Sequence, residues 1–152
     1  MALTHAWHDI VHDMQDEMHD LATITRHDAA RQAYLAIWAT MVAFPLVFGI
    51  DRFTGTMNNH WEGYVAGWVN DLLPGTASDA IVIFGVVELV LAALVLAMPR
   101  VGGDLLALWL ALLAVNFFSI DQMGWLGVGT VALAICAMAM ARLSTTYHHA
   151  EG

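Results

Sequence analysis

The 152-residue chain has no lysine, one cysteine and three prolines, and only 12% of its residues are charged. Each scarcity excludes something. The single Cys136 rules out an internal disulfide and any dithiol chemistry; within an apolar run it reads as a small packing residue. The net charge of -9 argues against nucleic acid as a partner and against electrostatic docking on anionic lipid. No haem motif, flavin or nucleotide fingerprint, or nucleophile-and-base arrangement is visible, so the machinery of an independent enzyme is not in view.

What the chain has instead is apolar length. Hydrophobic residues make up 59% of it and the mean hydropathy is +0.64, a balance that belongs to membrane proteins. Four segments, 33–50, 80–98, 105–120 and 123–141, approach the roughly 20 apolar residues a span requires. The expected fold is all-α: an integral membrane four-helix antiparallel bundle occupying residues 25–144. It is flanked by an amphipathic N-terminal helix over 1–24 and a tail over 145–152. The start, "MALTHAWHDIVHDMQDEMHD", is acidic and polar and does not read as a signal peptide.

The five arginines suggest an orientation. Arg26, Arg31, Arg100 and Arg142 fall on one side of the spans and Arg52 on the other. By the positive-inside rule both termini are expected in the cytoplasm, with the protein in the cell's inner (plasma) membrane.

Within the N-terminal helix, Trp7, Val11, Met14, Met18 and Leu21 share a stripe at helical spacing. Such a stripe calls for a cover, either another membrane subunit or a second copy of the chain. His5, His8, His12 and His19 form another stripe, bordered by Asp9, Asp13, Asp16 and Asp20. His8, His12 and Asp16 are spaced i, i+4, i+8, which allows two imidazoles and a carboxylate to share a divalent metal ion. His148 and His149 in the tail are expected on the same side. A pH-sensitive or partner-binding face and a solvated polar face remain open as alternatives.

Opposite, residues 51–79 form the only long loop. Trp61, Tyr64, Val65, Trp68, Val69 and Leu72 recur there at helical spacing and predict a short helix on the outer membrane surface. "LPGTASDA" turns the chain, with Ser78 or Asp79 as a cap for the second span; "PRVGGD" and "SIDQMG" read as tight connections. In the fourth span, Gly127, Thr130, Ala134, Ala137 and Ala141 make a stripe of small residues, suited to close packing in the bundle or to a dimer seam.

One residue interrupts "IFGVVELVLAALVLAM": Glu88, about 12 Å inside its span at 1.5 Å per residue. An ionisable group at that depth costs on the order of 3 kcal/mol on insertion scales, so it should face the bundle or a wet cavity. Arg52, where the first span meets the interface, can reach inward to it, and Asn116 in the third span offers an amide. Two readings stand: a pair that fixes helix register, or a functional group, either the polar end of a pocket for a quinone-like or other small polar ligand or a proton-accepting carboxylate.

Together, "FPLVFGIDRFTG", "HWEGYVAGWVNDLLP", "GVVELVLAALVLAMPRVGG" and "LWLALLAVN" resemble the small four-span proteins of the DoxX-like group over about residues 40–144. On that resemblance Gly49, Asp51, Arg52, Trp61, Tyr64, Glu88, Pro99, Arg100 and Asn116 occupy family positions. The resemblance implies an accessory subunit of a membrane redox or respiratory complex. The chain departs from the group in the His-rich N-terminal helix. It also departs in "DQMGWLGVG", where relatives carry an acid near the start of the fourth span and this chain has Asp121.

Overall fold

The computed structural model describes residues 29–148, and every regular element among them is helical. The chain divides into two compact units, Met1–Leu35 and Ala36–Gly152; of the first, only residues 29–35 are described, and they are helical. Four helices are long and apolar enough to cross a membrane: α1 (Ala29–Thr54), α3 (Ala77–Ala97), α4 (Pro99–Phe118) and α5 (Gly124–Tyr147). Between α1 and α3 lie a 3-10 turn, Trp61–Tyr64, and a short helix α2, Gly67–Leu72. The N-terminal segment with Trp7, His8, Val11, His12, Met14, Asp16, Met18 and Leu21 falls outside the described residues, as does His149.

The outward faces identify the solvent. Val82, Val86 and Val90 on α3, Leu108, Leu112 and Val115 on α4, and Val128, Ile135 and Met138 on α5 are all exposed. Large apolar side chains in such numbers have no place against water but suit hydrocarbon. This is a multi-pass membrane protein.

Inward faces follow the helical period. Helix α3 buries Ile81, Phe84, Gly85, Glu88, Leu91 and Val95 along one side. Helix α5 buries the stripe Gly127, Thr130, Ala134, Ala137 and Ala141. Its neighbour α4 approaches closely there. A Cβ added at Gly103 would stand 2.7 Å from the Met140 methyl and 2.9 Å from the Ala141 Cβ. The stripe of small residues therefore packs inside the bundle.

Three connections differ from their sequence reading. "PRVGGD" is not a linker: α4 begins at Pro99, whose missing N–H is no loss in a first turn. Gly102 and Gly103 are then helical residues, and Gly102 lies against the Leu94–Val95 backbone of α3. Helix α3 is capped by Thr76 rather than Ser78, in a capping box where Asp79 accepts from the Thr76 backbone N–H at 2.7 Å. The predicted single helix over 61–72 breaks at Val65–Ala66. Asn116 takes the Tyr64 carbonyl and the Ala66 N–H, two groups a continuous helix would need for itself.

Candidate functional site

Arg52 and Glu88 meet side-on across α1 and α3. Nε donates to Oε2 at 2.7 Å and Nη2 to Oε1 at 2.8 Å. The two side chains are only 5% and 6% exposed. A bidentate guanidinium–carboxylate fork is the arrangement that best offsets desolvation of both charges. Its net charge is zero, so the pair presents hydrogen-bonding groups to its surroundings without an uncompensated ion. The guanidinium also lies over the Trp61 ring, 4.6 Å from its centroid, and near the Phe84 ring at 5.5 Å. Both distances are within cation–π range.

Trp61 is held over the arginine by Asp51. This buried carboxylate accepts from Trp61 Nε1 at 3.0 Å and from the Met57 and Asn58 backbone N–H groups at 2.6 and 3.1 Å. Asp51 thereby ties the end of α1 to the segment that follows it. From α4, Asn116 secures the other end of the same segment: Oδ1 accepts from Ala66 N at 2.8 Å and Nδ2 donates to the Tyr64 carbonyl at 2.7 Å. Rings continue the packing, with Phe48 edge-on to Trp61 and Tyr64 edge-on to Phe117.

Behind these residues opens a cavity of about 620 Å³, within the range of small-molecule and cofactor sites. Arg52, Glu88, Asn58, Trp61 and Tyr64 gather on its wall. The rest is apolar but for Thr130, with Met41, Phe44 and Phe48 from α1, Leu106, Trp109 and Leu113 from α4, and Leu126, Gly129 and Leu133 from α5. Gly129 leaves open space where a side chain would stand, with nothing within 4 Å of an added Cβ. Among the described residues, Trp109 Nε1 is a buried donor without a partner.

The structure thus brings together Arg52, Glu88, Trp61 and Tyr64 on one cavity. Asn116 stands behind it as the anchor of 64–66 and is not among the lining residues. Pro99 and Arg100 lie at the opposite end of α4 from Asn116, away from the cavity wall. Asp121 is exposed in the turn before α5. Phe84, Trp109 and Gly129 were not singled out in the sequence, although Phe84 stands four residues before Glu88 and Trp109 seven before Asn116, the spacing of one helix face. No group of three or more His, Cys, Asp or Glu among the described residues could hold a metal ion.

No family model matches this chain, no curated protein matches it in sequence, and no solved structure matches it in fold.

Proposed function

We propose that the chain is a ligand-holding accessory subunit of a membrane redox or respiratory complex. In this reading its four spans form an antiparallel bundle in the inner (plasma) membrane, with both termini cytoplasmic and the Arg52–Glu88 pair near the outer leaflet. The cavity takes a membrane-dissolved amphipathic molecule of quinone type, whose head lies by the pair and whose tail lies along the walls of α1, α4 and α5.

One observation carries the reading: a guanidinium and carboxylate paired side-on, on the wall of a mostly apolar cavity of about 620 Å³. A pair needed only for helix register does not require open space beside it. Most of the wall is hydrocarbon or aromatic, which suits a ligand that lives in the bilayer. The resemblance to the DoxX-like group supports the redox setting, and the four-to-one arginine distribution supports the orientation. In this reading a partner supplies the electrons. The apolar stripe Trp7, Val11, Met14, Met18 and Leu21 is the natural docking element for that partner or for a second copy. A divalent-metal or pH response through His8, His12 and Asp16 rests on sequence spacing alone.

The test is purification from the native membrane in mild detergent, followed by solvent extraction and mass spectrometry of what is bound. The expected result is a near-stoichiometric quinone-type molecule with redox proteins in attendance. Glu88→Gln should lose the molecule while keeping the assembly. Equal loss of assembly would leave Glu88 a purely structural role, and extraction of bulk lipid alone would defeat the ligand reading.

A further inference from the structure

The cavity is covered at its Arg52 end and open at its side. The cover is the segment from Met57 to Ala66, tied down at both ends. Asp51 accepts from Met57, Asn58 and Trp61, and Asn116 bonds to Tyr64 and Ala66. At the opposite end of the spans α1 and α5 meet, with the Trp38 ring 5.7 Å from that of His148. Trp38 Nε1 also donates to the Val95 carbonyl of α3 at 3.1 Å, which fixes that end of α1. Nearer Arg52 the cavity lies between the same two helices, with Phe44 and Phe48 on one side and Leu126 and Gly129 on the other.

Exposure marks the mouth. Among the described residues that line the cavity, the exposed ones are Phe44, Met57, Trp125 and Gly129. None of them carries a charge, and Trp125 is 72% exposed. The polar wall residues Arg52, Glu88, Asn58 and Thr130 are buried or half-buried. A rim of exposed aromatic and apolar side chains suits hydrocarbon better than water. Its depth fits as well. Phe44 stands ten residues before the end of α1 at Thr54, about 15 Å at 1.5 Å per residue, which is half of a hydrocarbon core about 30 Å thick. The mouth therefore runs along one leaflet, on the Arg52 side.

Resting on the ligand site proposed above, we infer that the ligand is a chain-bearing lipid that enters sideways from this leaflet, between α1 and α5. Its head reaches the Arg52–Glu88 pair and its chain stays in the mouth, between Phe44 and Gly129. A head arriving from water would have to lift the cover and break the hydrogen bonds of Asp51 and Asn116. A head arriving from the bilayer breaks none of them. It passes beside Gly129, where an added Cβ would meet nothing within 4 Å. The chain exchanges lipid neighbours for the apolar side chains of the mouth and leaves no polar group unpaired.

The experiment is photolabelling of the full chain in bilayer vesicles with a decyl-benzoquinone that carries a diazirine at the tip of its chain. Labelled residues are mapped by mass spectrometry, with and without excess unlabelled decyl-benzoquinone. Labelling should concentrate on α1 around Phe44 and on α5 from Trp125 to Gly129, and the competitor should remove most of it. Background labelling of Val86 on α3 and Leu112 on α4, both on outward faces, should persist. Competed labelling confined to Asn58–Tyr64, or to the inner wall at Leu106 and Leu110, overturns the side entrance and leaves the ligand site standing. Labelling that the competitor reduces nowhere means that the chain merely samples the bilayer, and the site and its entrance both fail.

Discussion

Gly49 on α1 and Gly85 on α3 face each other at backbone distance. A Cβ on Gly49 would stand 3.1 Å from the Gly85 carbonyl oxygen, and one on Gly85 3.2 Å from the Gly49 carbonyl oxygen. Each glycine stands three residues before the charged residue of its own helix, Arg52 and Glu88. Side chains lean toward the N-terminus of their helix, so both charged side chains lean back toward the level at which the backbones touch. The close approach makes the short fork possible.

Widening that contact should open the pair. Gly85→Leu meets the Phe53 ring, 2.8 Å from an added Cβ, and then the α1 backbone. The expected loss is about 1–3 kcal/mol, the usual range for overpacking, read by denaturant unfolding in mixed micelles. Gly85→Ala should cost less, because Phe53 is half exposed and can turn aside. A Gly85→Leu protein as stable as its parent would contradict the close-approach account.

Removing one partner of the pair should cost more than removing both. Glu88→Leu leaves the Arg52 charge buried, at a cost of about 3–5 kcal/mol. The double variant Arg52→Met/Glu88→Leu should recover most of that loss. The same unfolding measurement on all four members of the cycle gives the coupling. Additive losses would mean that the two side chains do not act as a unit.

Asn116→Leu should release the segment over 64–66. It leaves the Ala66 N–H and the Tyr64 carbonyl without their partner, a penalty of about 1–3 kcal/mol for each group. Hydrogen exchange at Ala66 should accelerate strongly. Asn116→Asp keeps an acceptor for Ala66 but loses the donor to Tyr64, so its exchange should fall between the two. Unchanged protection in Asn116→Leu would remove the anchoring role.

The spans, and the partnership of Arg52 with Glu88, were legible because burial of charge in a membrane leaves few solutions. A lone acid in an apolar run needs a cation within reach, and only one arginine lay on its side. Asn116 was legible as a polar residue in an apolar helix, but its partners were not. They are backbone groups of a distant segment, and no side-chain pattern marks a carbonyl. The same bonds broke the predicted helix over 61–72, where tertiary hydrogen bonding overrode a sound periodicity. The start of α4 was misread because Pro-Arg-x-Gly-Gly has turn composition. The tight packing of Gly102 and Gly103 against neighbouring helices, invisible in one sequence, makes those residues helical. The cavity could be placed near the pair, but its volume depends on side chains from several helices converging, which spacing along one chain does not report.

The most direct measurement is saturation binding of a short-chain benzoquinone to the wild type and to Gly129→Phe, followed by quenching of tryptophan fluorescence. Gly129 lies on the cavity wall with open space before it. Gly129 is itself exposed, so a phenylalanine there meets no packed neighbour and can narrow the cavity from its open side, and replacing glycine within a helix does not weaken it. The wild type should show saturable binding near one molecule per chain, and Gly129→Phe should bind at least about tenfold more weakly at an unchanged melting temperature. Quenching that rises linearly without saturation, and identically in both proteins, would mean that the probe merely dissolves in the micelle and that the cavity holds nothing.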